Sequence, residues 1–144
     1  MEEALREAAA AGARGEVPVG AVVVLHGRSM AAAGNASIAQ HDPTAHAEVL
    51  ALRAAGVNVR NYRLPAATLY VTVEPCLMCI GAIVHARIAR LVYGCADPKA
   101  GAVASRFELA ADPRLNHEVA VTSGVAEEEC RALLQDFFRG CRAR

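Results

Sequence analysis

The sequence predicts an α/β protein of three layers, α/β/α, with a mixed central sheet of about five strands and helices on both faces. Three observations carry that reading. Ala67–Val73, ATLYVTV, is a β-branched apolar run, the clearest strand of the chain. Two further runs, Val19–Leu25 and Ser29–Ala33, flank His26-Gly27-Arg28, a turn, and read as a hairpin. Beyond them, apolar β-type runs alternate with helical stretches, the pattern of βαβ crossovers.

The elements follow in order. Residues 2–13 are alanine-rich with Leu5 among them and stop before Gly15, so a helix is expected. Val19–Leu25 follows Pro18 and reads as a buried strand, with Ser29–Ala33 its return partner. Gly34–Pro43 is rich in Asn, Ser, His and Asp and reads as loop. Helix is expected over Thr44–Ala55, ending near Gly56. The Ala67–Val73 strand is followed by a helix opening at Pro75 and running to about Ala86. Arg90–Gly94 is a further apolar strand, Gly101–Asp112 a loop with a short helix, Glu118–Val125 the last strand and Ala126–Gly140 the last helix. No repeat or low-complexity linker interrupts residues 1–144, which read as one domain.

Composition narrows the class. Hydrophobic residues make up 54% and mean hydropathy is +0.24, but much of this is alanine and there is no Trp. No apolar run approaches the about eighteen residues of a membrane span, and Met1-Glu2-Glu3 is not the basic start of a signal peptide, so a cytoplasmic protein with no membrane association is expected. Five cysteines suit a reducing compartment, and Cys95, Cys130 and Cys141 read as packing thiols. Net charge is zero, from 15 basic and 15 acidic side chains, which by itself does not favour a nucleic-acid partner. Basic residues nevertheless gather at Arg87, Arg90 and Lys99 and at Arg139, Arg142 and Arg144, so a local basic face is compatible with a neutral chain.

The chemistry lies in His46-Ala47-Glu48 and Pro75-Cys76-Leu77-Met78-Cys79. Cys76, Cys79 and His46 offer three zinc donors, and no second Cys-x-x-Cys or His pair supplies the fourth that a structural site requires. Three protein ligands with an open position describe a catalytic zinc, one per chain. Cys76 and Cys79 are one helical turn apart, and with Pro75 at the first helical position both thiols fall at a helix start, where the dipole favours thiolate. In mid-helix, His46 and Glu48 would point roughly 200° apart. They converge only at a helix mouth, which Asp42-Pro43-Thr44 permits. Glu48 then serves better as a proton carrier than as a fourth ligand.

H-x-E followed by P-C-x-x-C is the zinc-deaminase pattern, and the wider sequence resembles the bacterial tRNA-specific adenosine deaminases of the cytidine/deoxycytidylate deaminase superfamily. The resemblance runs from Glu16-Val-Pro-Val-Gly-Ala to Asp136-Phe-Phe. It includes Gly34-Asn35, His41-Asp-Pro-Thr-Ala-His46-Ala-Glu48, Asn61-Tyr-Arg-Leu64, the Ala67–Cys76 block and Gly94-x-x-Asp97-x-Lys99-x-Gly-Ala102. Ile80 and Ala96 depart from the family's common residues.

The resemblance implies a cytidine deaminase-like fold, a homodimer, and hydrolytic deamination of adenosine to inosine at the wobble position of a tRNA anticodon loop. Glu48 would move the protons, while Asn35, Val19 and Ala47 would meet the base. Asp97, Lys99, Phe138, Arg139 and Arg142 would contact the RNA. Read without the family, Asn35 after Gly34 is a turn residue, and Phe137 and Phe138 divide between core and an RNA role, being about 100° apart on a helix. The alternative is a free nucleobase or nucleoside deaminase, of guanine or cytosine type, using the same zinc and glutamate. Neutral charge favours it, and the Asp97/Lys99 segment and Phe-Phe-Arg tail oppose it. With His46, Glu48, Cys76 and Cys79 all intact, a purely structural zinc domain is disfavoured.

Overall fold

The computed structural model describes residues 1–144. The chain forms α1 (Glu2–Ala13), β1 (Gly20–Leu25), β2 (Arg28–Gly34), α2 (Ser37–Gln40), α3 (Ala47–Val59), β3 (Thr68–Val73), α4 (Leu77–His85), β4 (Arg90–Cys95), β5 (Ala120–Thr122) and α5 (Glu127–Arg142). One sheet takes the order β2-β1-β3-β4-β5. β1 is antiparallel to both β2 and β3, while β3, β4 and β5 run parallel. The hairpin and the later crossovers therefore join along the β1–β3 edge.

The period of two along each strand divides the sheet into two faces. Ala21 and Val23 lie in register with Val71 and Leu69, which pair in turn with Tyr93 and Leu91. These side chains cluster with Ala47, Ala51 and Leu52 of α3 and with Ile80 and Ile83 of α4. Burying each large aliphatic side chain there stabilises the fold by about 1.5–3 kcal/mol. The opposite face carries two glycines where helices come close. A Cβ on Gly20 would stand 1.9 Å from the Ala4 carbonyl oxygen in α1, and one on Gly94 would stand 2.3 Å from Cys130 Sγ in α5. Ala4, Ala8 and Ala11 form the buried stripe of α1. Thus α1 and α5 cover one face, and α3 and α4 the other.

Several boundaries depart from those the sequence suggests. α3 begins at Ala47 rather than Thr44, because Asp42 Oδ1 accepts the Thr44 N–H (2.8 Å) and hydroxyl (2.7 Å) and holds a turn there. It also runs through Gly56 to an αL cap at Arg60 (φ 57°). α2 is a one-turn helix inside the segment read as loop, its Ile38 and Ala39 amides donating to the buried Glu16 carboxylate at 3.2 and 2.8 Å. Pro75 is not the first helical residue: Cys76 caps α4, and the Pro75 carbonyl accepts the Ala102 N–H (2.9 Å). The short helix expected within Gly101–Asp112 does not form. The amides of Val103, Ala104 and Ser105 all donate to Glu74, so they are unavailable to carbonyls one turn back. β5 covers only Ala120–Thr122 of the expected Glu118–Val125. No helix is long and apolar enough to cross a membrane.

Candidate metal centre and base pocket

Two helix starts on the same face of the sheet meet at the site. His46 is the N-cap of α3, with an extended backbone (φ −75°, ψ 150°), and Glu48 sits in the first turn. Cys76 is the N-cap of α4 (φ −77°, ψ 178°), and Cys79 lies one turn on. Because His46 is outside the helical spiral, its imidazole and the Glu48 carboxyl are not forced to opposite sides. The positive ends of both helix dipoles point at the cluster and favour anionic sulfur.

His46 Nδ1 is 3.6 Å from Cys76 Sγ and 3.5 Å from Cys79 Sγ. All three donor atoms lie within 4.8 Å of one another. A tetrahedral zinc with nitrogen at about 2.1 Å and sulfur at about 2.3 Å sets those two atoms about 3.6 Å apart. The spacing therefore fits one zinc ion and leaves the fourth corner without a protein ligand. Electrostatics agree with the donor set. The Cys76 thiol is lowered to about 4 by the hydrogen bond from the Cys79 thiol and by His46, and Cys79, as the donor, is pushed up. His46 is raised by its bond to the Cys76 sulfur. Glu48 is buried, 4% exposed, and burial pushes its carboxyl up towards the protonated form.

Asn35 adjoins this cluster. Its Oδ1 accepts the Ala47 N–H at 2.7 Å, capping α3 from a distant part of the chain, and its own N–H donates to the Val19 carbonyl at 3.1 Å. Val19, Asn35 and Ala47 are thereby brought together beside His46 and Glu48, and all three are buried. Oδ1 is held by the α3 amide, and the Asn35 amide N–H₂ remains free to donate to a ligand.

The remaining candidates divide. Asp97 heads a loop after β4, with Oδ1 accepting the Lys99 (3.0 Å) and Ala100 (3.2 Å) amides, and Lys99 is exposed. This loop reaches the centre, since Gly101 bridges to Cys76. Phe138, Arg139 and Arg142 are on α5, which packs on β3, β4 and α1 and contacts neither α3 nor α4. Phe138 is 43% exposed and stacks edge-on against the half-buried Phe137 at 5.4 Å, so Phe137 is the inward member of the pair. Arg139 pairs with Asp136 at 3.1 Å.

Two buried carboxylates escaped the sequence reading. Glu74 is 3% exposed and accepts five hydrogen bonds, and Glu16, also 3% exposed, accepts two. The available signal was position alone: an acidic residue directly after an apolar strand and before Pro-Cys.

Comparison with known proteins agrees with this geometry. Residues 1–95 match the cytidine and deoxycytidylate deaminase zinc-binding region. The chain is 54% identical over 140 residues to a tRNA-specific adenosine deaminase of Haemophilus influenzae, covering 96% of this chain and 81% of that protein. To one of Agrobacterium fabrum it is 51% identical over 139 residues, covering 96% and 91%. A solved structure from a study of A-to-I editing by tRNA:A34 deaminases at the wobble position of transfer RNA superposes with a TM-score of 0.91 at 51% identity, covering 93% of this chain and 97% of that one.

Proposed function

Because this chain belongs to the tRNA-specific adenosine deaminases, within the cytidine and deoxycytidylate deaminase family, we propose that it converts adenosine to inosine at the wobble position of a tRNA anticodon loop. The observation that carries the reading is the tetrahedral spacing of His46, Cys76 and Cys79 beside a buried Glu48. Those three residues would hold zinc, which when bound supplies a water acidified to near neutral pH. In the reaction a C6–O bond forms, the C6–N bond breaks and ammonia leaves. Glu48 accepts one proton from the attacking water and delivers it to the ring nitrogen, then accepts the second from the new C6 hydroxyl and hands it to the departing amine, which leaves as ammonia. Its burial keeps the carboxyl away from bulk water, so the same proton can be held and handed on. The free Asn35 amide N–H₂, a donor, suits a ring nitrogen of the purine, which is an acceptor.

RNA reaches such a pocket only if the base leaves its stack, with neighbouring nucleotides held by stacking and basic groups. Asp97 and Lys99, on the loop tied to Cys76, are suited to those neighbours. Phe138, Arg139 and Arg142 extend the proposed RNA surface along α5. A homodimer is part of the same reading. Its interface would use the groove between α3 and α4, about 650 Å³ in volume, whose walls include Val49, Leu52, Val57, Tyr62 and Ala82. Val57 and Tyr62 are 76% and 72% exposed in the single chain. A cytoplasmic setting supplies both tRNA and reduced thiols.

The test is exposure of a transcribed tRNA set to the zinc-loaded protein, followed by sequencing for inosine. Conversion of one anticodon-loop adenosine is expected. Glu48→Ala should retain zinc and lose about 10²–10⁴ in turnover. Ammonia release from guanine, cytosine or cytidine with none from tRNA would establish the free-base alternative instead. Sedimentation at micromolar concentration tests the dimer, and a monomer there would contradict it.

A further inference from the structure

We propose that Glu74 is a positioning residue for the RNA: it fixes the Asp97–Ser105 loop in the shape that presents Asp97 and Lys99 to the nucleotides flanking the reacting base. The inference rests on the tRNA reading above. Glu74 directly follows β3 and is 3% exposed. Its Oε1 accepts the Asp97 N–H at 3.1 Å and the Ser105 hydroxyl. Its Oε2 accepts the N–H groups of Val103, Ala104 and Ser105 at 3.1, 2.9 and 3.0 Å. A carboxylate has about four lone-pair sites, so five donors leave it none to spend on substrate.

The donors come from both ends of one loop. Between them the chain passes so close that a Cβ on Gly101 would stand 2.3 Å from Glu74 Cδ. Two more ties attach the same loop to the next two residues: Ala102 N–H to the Pro75 carbonyl (2.9 Å) and Gly101 to Cys76. Glu74-Pro75-Cys76 thus sets where the loop lies relative to a zinc ligand.

The part held this way is not held by packing. Ala96, Pro98, Lys99, Ala100, Ala104 and Ser105 are exposed, and only Gly101-Ala102-Val103 is buried. Convergent amides of this kind commonly form an anion-binding concavity, and here the anion is a side chain of the chain itself. A loop fixed before RNA arrives saves the ordering cost at binding, so loss of Glu74 should weaken substrate binding more than it slows chemistry.

Glu74→Gln sets an amide N–H₂ against N–H donors. Ser105→Ala, at an exposed position, removes one tether. Both are compared with wild-type enzyme for zinc content and for kcat and KM on an anticodon stem-loop RNA. Glu74→Gln should raise KM about tenfold or more and Ser105→Ala about threefold, with zinc content unchanged and kcat altered less than about threefold. A zinc-loaded Glu74→Gln enzyme with wild-type KM, or one losing kcat and zinc together at constant KM, would overturn the inference. If Glu74→Gln does not fold, Ser105→Ala decides alone, and wild-type KM there also overturns it. Wild-type enzyme without activity on the stem-loop would overturn the tRNA reading and this inference together; active wild-type enzyme with unmoved KM in the variants overturns only the role of Glu74.

Discussion

Asn35 uses its two ends differently, and substitution can separate them. The carbonyl end caps α3 through Ala47, and the amide end is the one proposed to meet the base. Asn35→Asp keeps the acceptor at the helix start, so its melting temperature should stay at or above that of wild type, while kcat/KM falls about a hundredfold or more for want of the donor. Asn35→Ala should lose the same activity and also about 1 kcal/mol of stability. Thermal melts and steady-state kinetics on the three proteins distinguish these outcomes; equal melting of Ala and Asp variants would remove the cap from the account. The contrast also explains what the sequence makes legible. His46, Glu48, Cys76 and Cys79 are readable because metal ligation needs particular side chains at particular intervals. Glu16 and Glu74 are not, because their partners are backbone amides, which every residue except proline carries.

At the level of elements, regular hydrophobic period makes β1, β3, β4 and the long helices visible, and competition for hydrogen bonds hides the rest. The Gly101–Asp112 segment has the composition of a short helix, yet the amides of Val103, Ala104 and Ser105 are taken by Glu74. Thr44 likewise is drawn out of α3 by Asp42. Glycines behave in the same two ways. Gly20 is required by the approach of α1, so Gly20→Ala should cost about 3 kcal/mol or more, through displacement of Ala4 and Ala8. Gly81, inside α4, has open space where a Cβ would go, so Gly81→Ala should stabilise by about 0.5–1 kcal/mol. Urea unfolding at one protein concentration measures both. A destabilised Gly81→Ala would place Gly81 within the proposed α3–α4 dimer interface.

For the whole molecule, the candidate metal ligands come from the starts of two helices separated by the full length of α3 and β3. Zinc would bridge these segments only in the folded chain, so chelation should lower the melting temperature, and each tenfold rise in free zinc above saturation of the site should add about 1.4 kcal/mol of stability. Calorimetry across a zinc buffer series measures this, and a melting temperature independent of zinc would remove the bridge. The sheet order carries a different consequence, one of timing. Hairpin β1–β2 is complete at Gly34, but β3, which takes the other edge of β1, is not finished until Val73. A hairpin closes in about 1–10 μs, whereas a ribosome adding about 5–20 residues per second needs seconds to reach Val73. α1, made earlier, can lie over one face of β1 by then but cannot pair its edge. Through those seconds of synthesis Ala21–Leu25 offers unpaired amides and carbonyls along an apolar strand, and a neighbouring nascent chain offers the same.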